Sequence, residues 1–299
     1  SSDLVPRDRI NSETGLILRT EKSVLFVIPW STHWIVGTTD TDWTLDKAHP
    51  AASRADIDYI LEHVNSVLAV PLTHDDIQGV YAGLRPLLSG ESDQTSQLSR
   101  EHAVARPQPG LVSIAGGKYT TYRVMAADAV DAAKVDLGDS VPDSVTELIP
   151  LVGAEGYHAM SNQVDRLAER NGVPAWRMTR LLDRYGSIVD ELFALAADDP
   201  SLLEPLPGAE EYLKVEIVYA ATHESALHLD DLLARRTRIS IETPDRGAAA
   251  AESAAALVAP HLGWDEARIN DEVAAYRSRV EAERESQTET DDQEANAER

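Results

Sequence analysis

The stretch Leu111–Arg123, LVSIAGGKYTTYR, decides how the chain is read. Ser113 aside, residues 111–115 are apolar, the pattern of a strand buried on both faces. Gly116 and Gly117 remove the side chains where the backbone turns and allow dihedrals that other residues resist. Thr120 or Thr121 can cap a following helix, which carries Val124, Ala127, Val130, Ala133 and Lys134. A strand, a glycine turn and a fresh helix N-terminus direct free backbone N–H groups beyond the strand end, and Lys118 adds a positive charge there. Such a junction suits an anion or the electron-rich edge of a cofactor. The plain alternative is a tight turn with a surface lysine.

The 299 residues leave room for more than one domain and a sizeable core. An apolar fraction of 43% fits a folded soluble protein. No apolar run approaches the roughly 20 residues that cross a bilayer, and the opening residues carry no signal-peptide core. The absence of cysteine excludes disulfides, thiolate nucleophiles and Cys-based zinc or iron–sulfur sites. These features point to a cytoplasmic protein. A net charge of −24 argues against nucleic-acid binding. It also requires any phosphate-bearing substrate to find a locally positive pocket inside a repelling field. Five of the 27 basic residues are lysine, so arginine carries most of the positive charge.

Upstream, residues 13–20, 23–30 and 34–39 read as strands separated by short links, hence an antiparallel sheet. Pro29 must sit at an edge or a strand end. Ser53 and Asp56 form a capping box ahead of a stripe of Ile57, Ile60, Leu61, Val64 and Leu68, with Pro71 as the stop. Residues 106–110 read as a turn before the 111–115 strand. Downstream, 141–275 reads as all helical, with helices over 162–169, from Pro174 to Tyr185, over 188–197, two within 209–236, and a last pair over 248–258 and 265–280. Trp176, Leu181, Leu182 and Tyr185 mark one apolar side, and Pro260 and Gly263 separate the last pair. Residues 281–299 are acidic, without aromatics, and read as a disordered tail.

Arg85 lies in otherwise apolar sequence (GLRPL), where a buried charge needs a partner or a ligand. Arg100 and Lys118 can converge on the same anion, since arginine grips phosphate or carboxylate bidentately. The competing reading makes all three unrelated surface groups. Asp40, Asp42 and His49 have no recognised ligand spacing, so no metal is expected. His223-Glu224 lacks the second histidine of a zinc-protease helix and reads as packing or capping. Arg235-Arg236-Thr237-Arg238 is the densest basic cluster, suits a helix C-terminus and reads as interdomain salt bridges in preference to a ligand site.

Taken in order, VPR (5–7), VLFVIPW (24–30), IVGTTD (35–40), DDI (75–77), YAGLRPL (81–87), ESD (91–93), SR (99–100), GGKYTTYR (116–123) and Thr237 give the chain a resemblance to the flavin-dependent, quinone-linked sn-glycerol-3-phosphate dehydrogenases. It runs from about residue 4 to about residue 280. The resemblance implies an α+β fold: part of an antiparallel-sheet substrate domain (1–109), the last strand and helix of a Rossmann-like FAD-binding domain (110–136), a linker (137–144), an all-helical C-terminal domain (145–280) and the tail (281–299). It places Arg85 by flavin and substrate and Arg100 on the substrate phosphate. It places Lys118 near cofactor and substrate, with Gly116, Gly117, Thr120 and Thr121 at the FAD-contacting turn and helix start.

The implied reaction oxidises sn-glycerol 3-phosphate to dihydroxyacetone phosphate, with FAD as cofactor and a membrane quinone as electron acceptor. Peripheral contact with the inner face of the cytoplasmic membrane is implied, and a homo-oligomer is left open. Two departures stand out. No Gly-x-Gly-x-x-Gly occurs in these 299 residues, so the chain reads as the C-terminal half of such an enzyme. The family's histidine before Val-Pro-Arg, a candidate general base, is replaced at the nearest position by Ser2. The competing functions are a related FAD-dependent oxidoreductase acting on an amino acid or hydroxy acid, and a non-catalytic fragment.

Overall fold

Hairpin-forming segments at the start of the chain assemble a sheet, and the amphipathic segments that follow it pack as helices. The computed structural model describes residues 1–21, 24–41, 50–85, 101–138 and 141–290. It divides into two compact units. The larger holds Ser1–Thr39, Thr44–Gly83 and Gly153–Arg299, and the smaller Asp40–Trp43 and Leu84–Val152.

In the larger unit, β1 (Ser2–Pro6), β2 (Leu16–Arg19), β3 (Val24–Trp30), β4 (His33–Gly37) and β5 (Gly79–Tyr81) form one antiparallel sheet in the order β2-β3-β4-β1-β5. The three expected strands are present but shorter. β1 was not anticipated, because Ser2 and Asp3 disguise it as a polar leader. β2 pairs with β3 only as far as Val27, so Pro29 lies past its end, as a residue without an N–H requires.

Helix α1 (Arg54–Asn65) starts at the expected Ser53–Asp56 capping box. It buries Ile57, Ile60, Leu61 and Val64 against Val5, Leu25, Val27, Trp34 and Val36 of the sheet. It ends well before Pro71 because the Asn65 amide leaves the helix register for Leu72, accepting from its N–H at 2.7 Å and donating to its carbonyl at 2.8 Å.

The rest of the larger unit is mostly helical: α3 (Tyr157–Ser161), α4 (Val164–Asn171), α5 (Ala175–Tyr185), α6 (Val189–Leu195), α7 (Lys214–His223), α8 (Ile239–Glu242), α9 (Ala251–Leu262) and α10 (Glu266–Ser286), the label α2 being kept for the smaller unit. Gly172, in the left-handed region at φ 67°, ends α4 as its position after Asn171 suggests. One core gathers α4, α5 and α6 around Met178, Leu181, Leu182 and Leu192, and another packs α7, α9 and α10 around Ile217, Ala254, Val258 and Tyr276.

Four expectations fail here. A short hairpin, β8 (Pro205–Leu206) and β9 (Ala209–Leu213), occupies the start of the segment read as helical. Asp231–Arg236 is a π-helical turn in place of a regular second helix. Trp176 is 53% exposed, outside the α5 stripe, and it is the neighbouring Arg177, 4.5 Å from its ring centroid, that is buried. Pro260 lies inside the last turn of α9, and Gly263 alone ends that helix.

A further difference concerns the tail. α10 continues to Ser286 and buries Glu283 and Ser286. Glu283 and Gln287 hold the buried Arg246 guanidinium at 3.3 and 2.8 Å, and the Glu289 carbonyl accepts from the Arg54 N–H at 2.8 Å. Residues 281–290 are therefore docked, by polar contacts that a search for apolar surface overlooks. The sheet and the helices meet at β5: a side chain on Gly79 would overlap the Ile241 carbonyl, so only glycine allows that approach.

The smaller unit is built from β6 (His102–Gln108), β7 (Leu111–Gly116) and α2 (Tyr122–Leu137). β6 and β7 pair antiparallel with an irregularity between Ala105 and Gln108, so the expected turn contracts to Pro109–Gly110. A His102–Asp128 hydrogen bond at 2.6 Å and the Arg106–Asp136 ion pair at 2.7 Å tie β6 to α2. β6 thus goes with β7 and not with the first sheet, in contrast to a boundary at residue 109. The expectation of a strand buried on both faces is not met among the described residues. Leu111 and Ile114 are exposed and α2 buries no residue, since two strands and one helix supply no second layer. Among the described residues no helix is long and apolar enough to cross a membrane.

Candidate active site

β7 runs directly into the glycine pair. Gly116 and Gly117 both sit at positive φ, 78° and 79°. A Cβ on Gly117 would lie 2.5 Å from the Met125 sulfur and 3.1 Å from His102 Cβ, so this turn is pressed against α2 and β6 and tolerates no side chain. Lys118 is extended and exposed. A single 3-10 turn, Tyr119–Thr121, leads into α2.

Neither threonine caps the helix as expected. The Thr121 hydroxyl donates to the Lys118 carbonyl at 3.1 Å, and no side chain accepts from the first-turn N–H groups. The N–H groups of Thr121 and Tyr122 are instead taken up by the Lys118 and Tyr119 carbonyls within the 3-10 turn. Thr120 is exposed beside them, and Tyr119 stacks on Tyr122 with ring centroids 5.3 Å apart. Lys118 has no ion pair among the described residues.

Arg85 belongs to the same unit. Its guanidinium pairs with Asp40 at 2.6 Å, with 39% of the arginine side chain exposed. The apolar neighbours in sequence do not bury it. A pair this open contributes under about 1 kcal/mol to stability. Asp40 is thus an arginine partner; Asp42, His49 and Arg100 lie outside the described residues. Among the described residues no group of His, Asp and Glu is arranged to hold a metal.

Residues 144–269 match the family model described as C-terminal domain of alpha-glycerophosphate oxidase. The glycerol-3-phosphate dehydrogenase 2 of Mycobacterium tuberculosis is 63% identical over 289 residues, covering 97% of this chain and 49% of that protein. The chain belongs to the glycerol-3-phosphate dehydrogenase family. The Mycobacterium leprae glycerol-3-phosphate dehydrogenase is 62% identical with the same coverage. The crystal structure of the Bacillus halodurans glycerol-3-phosphate dehydrogenase complexed with FAD superposes with a TM-score of 0.77 at 26% identity, covering 94% of this chain and 55% of that one. The chain therefore spans about half the length of the curated relatives it matches.

Ser2, where the resemblance calls for a histidine, is a buried residue of β1 opposite Gly37 and Tyr81. Its neighbour Asp3 was missed from sequence. It is 1% exposed, neither carboxylate oxygen has a hydrogen-bond partner, and burial pushes its pKa from 3.8 up to about 8. An acid directly before the apolar Leu4-Val5 pair was the available signal.

The folded state thus holds a proton on Asp3 that the unfolded chain releases near pH 4. Its contribution is fully present below that pH and is lost as pH rises through the folded pKa, by up to about 1.4 kcal/mol per pH unit. Asp3→Asn should flatten the fall in urea midpoint between pH 5 and 8 and raise the midpoint most at pH 8. Equal pH slopes in the two proteins would refute the burial of a protonated Asp3.

Proposed function

We propose that the chain supplies the substrate-handling and helical parts of an FAD-dependent enzyme that oxidises sn-glycerol 3-phosphate to dihydroxyacetone phosphate and passes the electrons to a membrane quinone. The observation that carries the reading is the 63% identity over 289 residues to a protein named glycerol-3-phosphate dehydrogenase. The residues present fit the cofactor: two positive-φ glycines let the backbone approach closely, and the exposed Lys118 beside them offers a positive charge to an electron-rich edge. FAD, when bound, supplies the two-electron acceptor for the substrate carbinol hydrogen.

In this reading Gly116 and Gly117 admit close approach of the cofactor, and Thr120 and Thr121 present the helix start to it. Arg100 holds the substrate phosphate as the positioning handle. Arg85, aimed by Asp40, and Lys118 stabilise the alkoxide character that develops as the substrate hydroxyl loses its proton. Peripheral binding at the inner face of the cytoplasmic membrane gives access to the quinone.

Two measurements test this. In a protein of full family length carrying this chain, a quinone analogue should be reduced with sn-glycerol 3-phosphate and not with lactate or glycine. Preference for either of those would favour a carboxylate-binding oxidoreductase. The 299-residue chain alone should bind FAD far more weakly than the full-length protein, because its glycine turn is not a Gly-x-Gly-x-x-Gly pyrophosphate loop. Equilibrium dialysis showing tight one-to-one binding by the chain alone would refute that expectation.

A further inference from the structure

The larger unit contains a cavity of about 320 Å³ lined by Trp30, Ser31, Arg180, Arg184, Arg238 and Glu242, together with Asp183. Three guanidinium groups share one small space in a chain whose net charge is −24. Two of them are braced by aromatic faces: Arg180 lies 3.8 Å from the Tyr212 ring centroid and Arg238 4.4 Å from that of Trp30. Stacking fixes each plane and leaves the in-plane N–H donors to point elsewhere.

Two of the nearby carboxylates are largely committed to other donors. Glu242 accepts from the Tyr212 hydroxyl at 2.6 Å and from Trp30 Nε1 at 3.4 Å. Glu216, fully buried, accepts from the Leu213 N–H at 2.8 Å and the Tyr185 hydroxyl at 3.4 Å. Arg180 reaches these two acids only at 3.5 Å, Arg184 reaches Glu216 only at 3.9 Å, and Arg180 Nη1 is buried without a hydrogen bond. The Arg238 guanidinium has no ion pair among the described residues. Burial and then the Arg184 charge lower its proton affinity, whereas at Arg180 burial and the Arg184 charge are outweighed by Glu216, Tyr212 and Glu242.

We propose that this cavity binds a small phosphate-type dianion between the guanidinium groups of Arg180, Arg184 and Arg238. A dianion relieves the repulsion between Arg184 and Arg238, supplies acceptors for the unmatched N–H groups and matches arginine's bidentate geometry. Arg235 makes the useful contrast. It is a neighbour in sequence, but Asp230 and Asp231 already hold it.

Isothermal titration of the chain with inorganic phosphate, at constant ionic strength set with sodium chloride, tests the site. Saturable binding is expected, weakened by about tenfold or more in Arg238→Gln. Arg235→Gln should stay within about twofold of wild type. Arg100→Gln, which alters the phosphate handle assigned above, should retain the binding, so the two assignments fail separately. Trp30→Leu removes the ring under Arg238 and gives a second reading that spares every charge; it too should weaken phosphate. No saturable binding by the wild type overturns the proposal, as does wild-type affinity in both Arg238→Gln and Trp30→Leu.

Discussion

Alanine at Arg100 should abolish most of the preference for sn-glycerol 3-phosphate over glycerol and raise KM, in a protein of full family length carrying this chain. Alanine at Arg85 should instead slow flavin reduction at saturating substrate. The two arginines differ because one is assigned to a phosphate that is bound equally in ground and transition states, the other to charge that appears only as the hydroxyl is oxidised. A charged hydrogen bond to a desolvated anion is worth roughly 2–4 kcal/mol, so each loss should be on the order of 30-fold to 1000-fold. Asp40→Asn gives an intermediate case, since it leaves Arg85 in place and removes the partner that aims it. Stopped-flow traces with both substrates over a concentration range separate the effects. Wild-type rate, half-saturation and preference in either alanine variant would make that arginine a surface group.

Removing Glu281–Arg299 should destabilise the larger unit by about 3–5 kcal/mol, the cost of leaving a buried charge without its partner. Arg246 is 5% exposed and is held by Glu283 and Gln287, both lost in the deletion. Its carbonyl also accepts from the buried Tyr276 hydroxyl at 2.7 Å, so disturbance there reaches the α9–α10 core. Burial raises the Tyr276 pKa, and the nearby Glu283 and Asp245 charges push the same way, so the hydroxyl stays protonated to donate this bond. Deletion from residue 291 onward keeps Glu283, Gln287 and Glu289 and should lower the urea midpoint less than the longer truncation. Equal midpoints for the two truncations would show that α10 ends earlier than described.

Elements whose signals are local were readable from sequence. The Ser53–Asp56 box, the Asn171-Gly172 stop and the strand–glycine–helix order at 111–123 depend on residues a few positions apart, and each is present. What escaped depends on residues far apart. β1 is a strand because β4 and β5 flank it, and its polar Ser2-Asp3 start hides that. Helix α10 persists into an acidic segment because Arg246 waits for Glu283. The β7 burial pattern was apolar in sequence yet is open here, as the described part of its unit has only two strands and one helix.

The candidate site divides the same way. Gly116, Gly117, Lys118, Thr120 and Thr121 were singled out because they are contiguous, and Arg85 because its apolar neighbours made it conspicuous. Its partner Asp40, 45 positions earlier, follows from the fold alone. The Arg180–Arg184–Arg238 cavity is assembled from α5 and the segment before α8, with the Trp30 ring beside it, so no local pattern announces it.

The most direct test of the central claim is anaerobic mixing of sn-glycerol 3-phosphate with the FAD-loaded, full-length protein carrying this chain. Loss of the oxidised flavin absorbance, with one dihydroxyacetone phosphate formed per flavin reduced, is the predicted result. Flavin that stays oxidised with sn-glycerol 3-phosphate, yet is reduced by lactate or by glycine, would contradict it.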